Sequence, residues 1–224
     1  MTIADNWRAI RARVDAACER AGRAPSDVTI VAVSKHHTIE AIREAIAAGA
    51  RDLGENYAQE LAAKRAELPD ARWHFIGRLQ RNKAKLVAGQ VALVHAVDSV
   101  ELAAELGKRA AAVQPMLLAV NLAGEATKGG VTAGDAPAIA AAIAGTANVR
   151  LDGLMTMPPP ADDPEASRPA FEALRALRDR IAGELGRPLP VLSMGMSNDF
   201  EVAIACGATH VRIGTAIFGE RTIG

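Results

Sequence analysis

Eight short runs rich in β-branched and aliphatic residues recur along the chain, each but the last followed by a helix-length segment. That alternation constrains the fold more than any other feature of the sequence. The runs are "VTIVAVS" (28–34), "RDLGE" (51–55), "RWHFIG" (72–77), "VALVHAV" (91–97), "PMLLAVNLA" (115–123), "VRLDGLMTM" (149–157), "PVLSMGM" (190–196) and "THVRIGTAIF" (209–218). Helical segments are expected between them at 38–48, 56–68, 80–88, 99–112, 134–144, 163–185 and 198–205. Several runs are apolar almost without interruption, as parallel strands covered on both faces must be. The intervening segments instead carry one-sided stripes, such as Phe171, Leu174, Leu177, Ile181 and Leu185. Ahead of the first run, Ile3, Trp7, Ile10, Val14 and Cys18 keep helical spacing up to Gly22, which predicts one additional helix at the start.

The expected fold is therefore α/β: a single (β/α)8 TIM-type barrel with an extra N-terminal helix, forming one domain over residues 1–224. The alternative, an open doubly wound sheet, usually carries a glycine-rich turn after its first strand. "SKHHTIE" (34–40) contains no glycine.

Half of the residues are hydrophobic, and 26 Lys plus Arg balance 26 Asp plus Glu. No net field draws such a chain to nucleic acid or to an anionic membrane, so a small-molecule partner is the better expectation. The first residues lack the pattern of a signal peptide, and no apolar run is long enough to span a bilayer, which makes the cytoplasm the expected compartment. Cys18 and Cys206 lie far apart in apolar helical patterns and are expected to be buried thiols; no metal knuckle or redox pair is encoded.

In a (β/α)8 barrel the chemistry gathers where strands end at the C-terminal face. Lys35 stands there after the first run. Glu55 and Asn56 end the second, His74, Gly77 and Arg78 the third, His95 and Asp98 the fourth, Asn121 the fifth, and Met155 and Thr156 the sixth. The seventh ends in "SMGMS" (193–197), which offers hydroxyls, a glycine and the start of a helix. The eighth ends in "RIGTA" (212–216), where Gly214 and Thr215 supply close backbone approach and a hydroxyl. Barrels commonly hold a phosphate between these last two loops. An amine opposite a phosphate cradle is what pyridoxal 5′-phosphate requires. Arg212 has donors and no acceptor, so facing the pyridine nitrogen it would leave that nitrogen unprotonated.

These stretches, with "LGENYAQE", "WHFIGRLQRNKAKLV" and "VNLAGEATKGG", resemble the pyridoxal phosphate homeostasis protein family, whose fold is similar to the barrel domain of alanine racemase. The resemblance spans nearly the whole chain. It implies a Schiff base on Lys35, a phosphate held by Ser197, Gly214 and Thr215, Arg212 at the ring nitrogen, and Asn56 near the cofactor. It also implies a protein that carries or buffers the cofactor in vitamin B6 and amino-acid balance, with no established reaction and with apo pyridoxal-phosphate enzymes as partners. His36 and His37 depart from the family's usual residues after the lysine, and Asn198 from its usual aspartate.

The alternative is a racemase or related enzyme using the same cofactor. The racemases that this barrel resembles bring a tyrosine from a separate β-domain, whereas the single tyrosine here, Tyr57, follows the second strand. A monomer is expected on the same ground. Plainer roles are expected elsewhere: His74 and His95 as hydrogen-bonded core residues, Trp7 and Trp73 as packing, and "TKGGV" (127–131) as a lid or turn.

Overall fold

The computed structural model describes residues 1–122 and 129–219. Helix α1 (Ile3–Arg20) comes first, opened by a capping box in which the Thr2 hydroxyl and the Asp5 carboxylate each accept the other residue's backbone N–H. Then follow β1 (Thr29–Val33), α2 (Ile39–Ala47), β2 (Asp52–Glu55), α3 (Ala58–Glu67), β3 (Arg72–Phe75), β4 (Leu93–Val97), α4 (Val100–Arg109) and β5 (Gln114–Asn121). The second half runs β6 (Val131–Thr132), α5 (Ala136–Ala144), β7 (Val149–Met155), α6 (Arg168–Leu185), β8 (Val191–Ser193), α7 (Phe200–Ala205), β9 (His210–Ile213) and α8 (Thr215–Phe218).

The strands are all parallel and close on themselves in the order β1-β2-β3-β4-β5-β7-β8-β9, with β9 returning to β1. This is the expected (β/α)8 barrel. Its last seam pairs Val31 with Arg212 and Ala32 with Ile213. Helix α1 covers the outside of that seam: the Asn6 side-chain amide donates to the Ile217 carbonyl at 3.0 Å, and Arg13 pairs with Glu201 at 3.1 Å.

Three details differ from the sequence expectation. The 80–88 segment forms only a 3₁₀ turn, Arg81–Leu86, within which Ala84 alone is buried, too little of an apolar stripe to anchor an α-helix. The two-residue strand β6, which pairs Val120 with Val131, adds a ninth strand alongside β5. Helix α7 begins at Phe200 rather than 198, because Asp199 intervenes: its carboxylate accepts from Met196 N at 2.7 Å and from the Ser167 hydroxyl at 2.9 Å.

Between sheet and helices lies a continuous apolar layer containing Ile42, Leu53, Leu61, Trp73, Phe75, Leu102, Leu106, Phe171, Leu174 and Phe200, with Cys18 and Cys206 as free thiols inside it. Trp7 and Trp73 belong to this layer, as expected. No helix among the described residues is long and apolar enough to cross a membrane.

Candidate functional site

Strand register sets the height of each site residue. Val33 pairs with Gly54, and the Ser34 N–H donates to the Gly54 carbonyl at 3.0 Å, so Lys35 leaves β1 level with Asn56 beyond β2. On the other side, Ala32 pairs with Ile213, which sets Gly214 beside Val33. The Arg212 N–H donates to the Gly195 carbonyl at 3.0 Å, which carries Ser197 to the level of Gly214. Lys35, Asn56, Ser197, Gly214 and Thr215 thus emerge from four neighbouring strands at one rim of the barrel. A Cβ on Gly214 would lie 3.3 Å from the Val33 Cβ, so the backbone approaches β1 closely there.

The turn carrying Lys35 is fastened from several directions. His36 adopts a left-handed backbone, φ 65°, and its N–H donates to a Glu60 carboxylate oxygen at 2.6 Å. The Lys64 ammonium, buried behind the turn, donates to the Ser34 carbonyl, Glu55 and Glu60 at 2.6, 2.8 and 2.7 Å. Burial pushes the Glu55 carboxyl upward against the pull of Lys64. The two histidines diverge: the His36 ring tilts against Tyr57 at 5.2 Å, and the His37 ring stacks on Phe218 at 4.7 Å. They bracket the lysine turn from both sides.

A cavity of about 280 Å³ opens inside the mouth, walled by Asn56, Gly77, Asp98, Asn121, Gly130 and Met155. The Asn56 carbonyl oxygen, Oδ1, is buried there with no hydrogen-bond partner among the described residues. Gly77 is fixed by packing, since a Cβ would stand 2.2 Å from the Asn56 backbone oxygen. A wider groove of about 910 Å³ leads outward from the same mouth past Tyr57, Arg78 and Arg81. Lys128 lies outside the described residues, whereas Gly129 and Gly130 of the same loop border the cavity.

Arg212 turns inward. Its guanidinium is buried and donates to the Ser193 hydroxyl at 2.6 Å and to the Thr156 carbonyl at 3.0 Å. Burial lowers it to about 10, which still leaves it charged at neutral pH. The helix-start anion site expected at "SMGMS" is altered: α7 opens only at Phe200 and the Asp199 carboxylate turns back onto the Met196 N–H, so Ser197 offers a hydroxyl and backbone rather than the end of a helix.

The sequence reading missed Asp52 and His210 inside the barrel and took Ser193 for a hydroxyl of the mouth. His74 and His95 are the hydrogen-bonded core residues it expected, but Asp52, Ser193 and His210 join them: the His210 ring lies 5.9 Å from each, tilted to His74 and edge-on to His95, Asp52 accepts from His74, and Ser193 bonds His95. The signal was present as polar residues at alternate positions of otherwise apolar strands, since alternate side chains face the barrel interior. Among the described residues no group of three such side chains could hold a metal ion.

Residues 3–222 match the model of the family described as alanine racemase, N-terminal domain. The pyridoxal phosphate homeostasis protein of Pseudomonas aeruginosa is 46% identical over 228 residues, covering 100% of this chain and 97% of that protein. Its counterpart from Aquifex aeolicus is 46% identical over 226 residues, covering 99% of each. The solved structure of PipY from Synechococcus elongatus with PLP bound superposes with a TM-score of 0.86 at 34% identity, covering 97% of this chain and 100% of that one. Fold, rim geometry and these similarities agree: the chain belongs to the alanine racemase N-terminal-domain family, among the pyridoxal phosphate homeostasis proteins.

Proposed function

We propose that this chain binds pyridoxal 5′-phosphate at the barrel mouth on Lys35 and carries or buffers it, without a catalysed reaction of its own. The observation that carries the reading is the level rim, in which an amine, two hydroxyls and a close-packed glycine follow three adjacent strands above a buried guanidinium. When bound, the cofactor supplies an aldehyde that condenses with a lysine amine.

The donor set fits that group. Ser197, Thr215 and the Gly214 backbone would hold the phosphate, Arg212 would face the ring nitrogen with a donor, and the buried Asn56 Oδ1 is an acceptor left unpartnered beside the mouth. Of these residues Asn56 alone borders the cavity of about 280 Å³, which lies to one side of the Lys35 rim. Glu60 and Lys64 hold the backbone on either side of Lys35, and the His36 and His37 contacts limit its swing. Tyr57, the one tyrosine, is half exposed at the rim against His36 and is not among the residues walling the cavity, which speaks against the tyrosine base of a racemase. The same reading takes the chain as one domain, a monomer in the cytoplasm, with apo-enzymes that need the cofactor as its partners.

The test is spectroscopic. Adding pyridoxal 5′-phosphate should give an absorption band near the visible that Lys35→Ala abolishes, and borohydride should fix the label on Lys35. Labelling of another lysine would overturn the reading. Rapid delivery of the bound cofactor to an apo-enzyme supports the carrier, whereas racemisation of alanine that disappears in Lys35→Ala would replace the carrier with an enzyme.

A further inference from the structure

Four hydrogen bonds cross the barrel interior in an unbroken line. Arg212 Nη1 lies 2.6 Å from Ser193 Oγ, Ser193 Oγ 2.8 Å from His95 Nδ1, His95 Nε2 2.9 Å from His74 Nδ1, and His74 Nε2 2.8 Å from Asp52 Oδ1. Ser193, His74 and His95 are completely buried. At the far end Asp52 meets the exposed Arg72 guanidinium at 3.2 Å, so the line runs from solvent at the N-terminal rim to the floor of the mouth.

The two ends decide where every proton sits. Arginine has only donors, and an ionised carboxylate only accepts. Asp52 is held below its ordinary range: burial opposes ionisation, but the hydrogen bond from His74 and the charges around it prevail. His74 must therefore carry its proton on Nε2. From the other end, Ser193 Oγ accepts from Arg212 and gives its own hydrogen to His95 Nδ1, so His95 donates its Nε2–H to His74 Nδ1, which accepts. Every donor points toward Asp52.

The surroundings keep His95 and His210 neutral. Burial first, then the repulsion a second cation would meet from His74 or His210 if charged and from Arg212, pushes His95 well below its ordinary range. His210 is driven down to about 3 by burial and by His74, with Asp52 acting the other way and Arg72 and Arg212 adding to the fall. Asp199 is the remaining charged group acting on Arg212. The other side of the interior is apolar, formed by Leu93, Leu117, Ala119, Met155 and Val191, and offers the line no competing partner.

We propose that Ser193, His95, His74 and Asp52 act as positioning residues for Arg212, a directed relay that holds its fork in one orientation and couples the charge presented at the mouth to a carboxylate across the barrel. The direction of the relay stands by itself; its effect on a ligand rests on the function proposed above. A buried hydrogen bond to a charged group is worth enough that losing one link should weaken a ligand on Arg212 about tenfold.

Long-range ¹H–¹⁵N correlation spectra of the cofactor-free protein test the relay without any ligand. Both His74 and His95 should carry a proton on Nε2 and none on Nδ1 at neutral pH. In Asp52→Asn the His95 nitrogens should shift although residue 52 does not touch them. An Nδ1–H form at either ring in the native protein, or an unmoved His95 in the variant, overturns the proposal. Should Asp52→Asn fail to fold, Ser193→Ala serves: His95 Nδ1 loses its donor, and its resonance must move. With pyridoxal 5′-phosphate added, Ser193→Ala should shift the absorption band of the bound form and bind about tenfold more weakly, while Ser193→Thr restores both. Binding and band unchanged in Ser193→Ala would sink the coupling to the mouth. If the native protein binds no cofactor, the proposed function fails and the nitrogen spectra still decide the relay.

Discussion

The barrel has two interiors, and they are built on opposite terms. The shell between sheet and helices is continuous hydrocarbon, from Trp73 and Phe75 through Phe171 to Phe200. The lumen, half of it lined by Leu93, Leu117 and Met155, gives its other half to Asp52, His74, His95, Ser193, His210 and Arg212. The shell needs only volume and gains free energy from each buried methylene. The lumen needs each donor matched to an acceptor, because an unpaired polar group there costs more than a made bond returns. Stability therefore resides mainly in the shell, and orientation in the lumen.

That division can be broken by substitution. Phe171→Ala removes a fully buried ring from α6 and should cost about 3–5 kcal/mol in urea unfolding, with the cofactor absorption maximum unmoved. A moved maximum would show that the shell also orients the site.

Acid should act on the lumen first. His210 falls from 6.5 to about 3 and His95 is lowered well below 6.5, so between those limits the unfolded chain binds more protons than the native one. Their contribution is complete above about pH 6.5 and is lost as pH falls, on the order of 3 kcal/mol by about pH 4. Asp52 acts in the same direction below 3.8. Thermal melts across pH 4–7 check this, and a flat profile would mean that the imidazoles are charged or paired otherwise.

Asp52→Ala leaves the His74 Nε2–H without its acceptor and should cost about 1–3 kcal/mol. The smallest effect is expected from Gly214→Ala. Its backbone, φ −112°, suits any residue, and the Cβ asks Val33 to yield only slightly, so melting should change by less than about 1 kcal/mol while the mouth binds the phosphate cofactor several-fold less tightly. Equal binding would place the phosphate elsewhere.

The same division governs what could be read from the sequence. The shell writes itself as periodicity, and Phe171, Leu174, Leu177 and Ile181 announced both helix α6 and its buried face. Lys35, Gly214 and Thr215 were legible because strand ends are positions of known consequence in this fold. Asp52 and His210 were not, because each is a single polar residue near the start of a strand, and nothing local distinguishes a lumen residue from one facing solvent. Their meaning comes from closure, which brings β2, β3, β4, β8 and β9 around one axis. Asp199 shows the limit on a smaller scale: a helix start expected at 198 was displaced by a carboxylate satisfying Met196 and Ser167, the latter thirty-two positions away in the chain.

The seam between β1 and β9 has a consequence in time. Lys35 follows the first strand, while Gly214 and Thr215 follow the last, and α1 is held against the barrel by Ile217 and Glu201. During synthesis some 180 residues separate these halves, so the earliest helix and strand wait, with apolar faces uncovered, for the chain that completes them. The rim cannot exist before the barrel closes. A ligand that bridges Lys35 and the Gly214 turn would therefore bind only the finished molecule and pull the last folding step forward, so that the supply of the small molecule and the yield of folded protein become linked quantities.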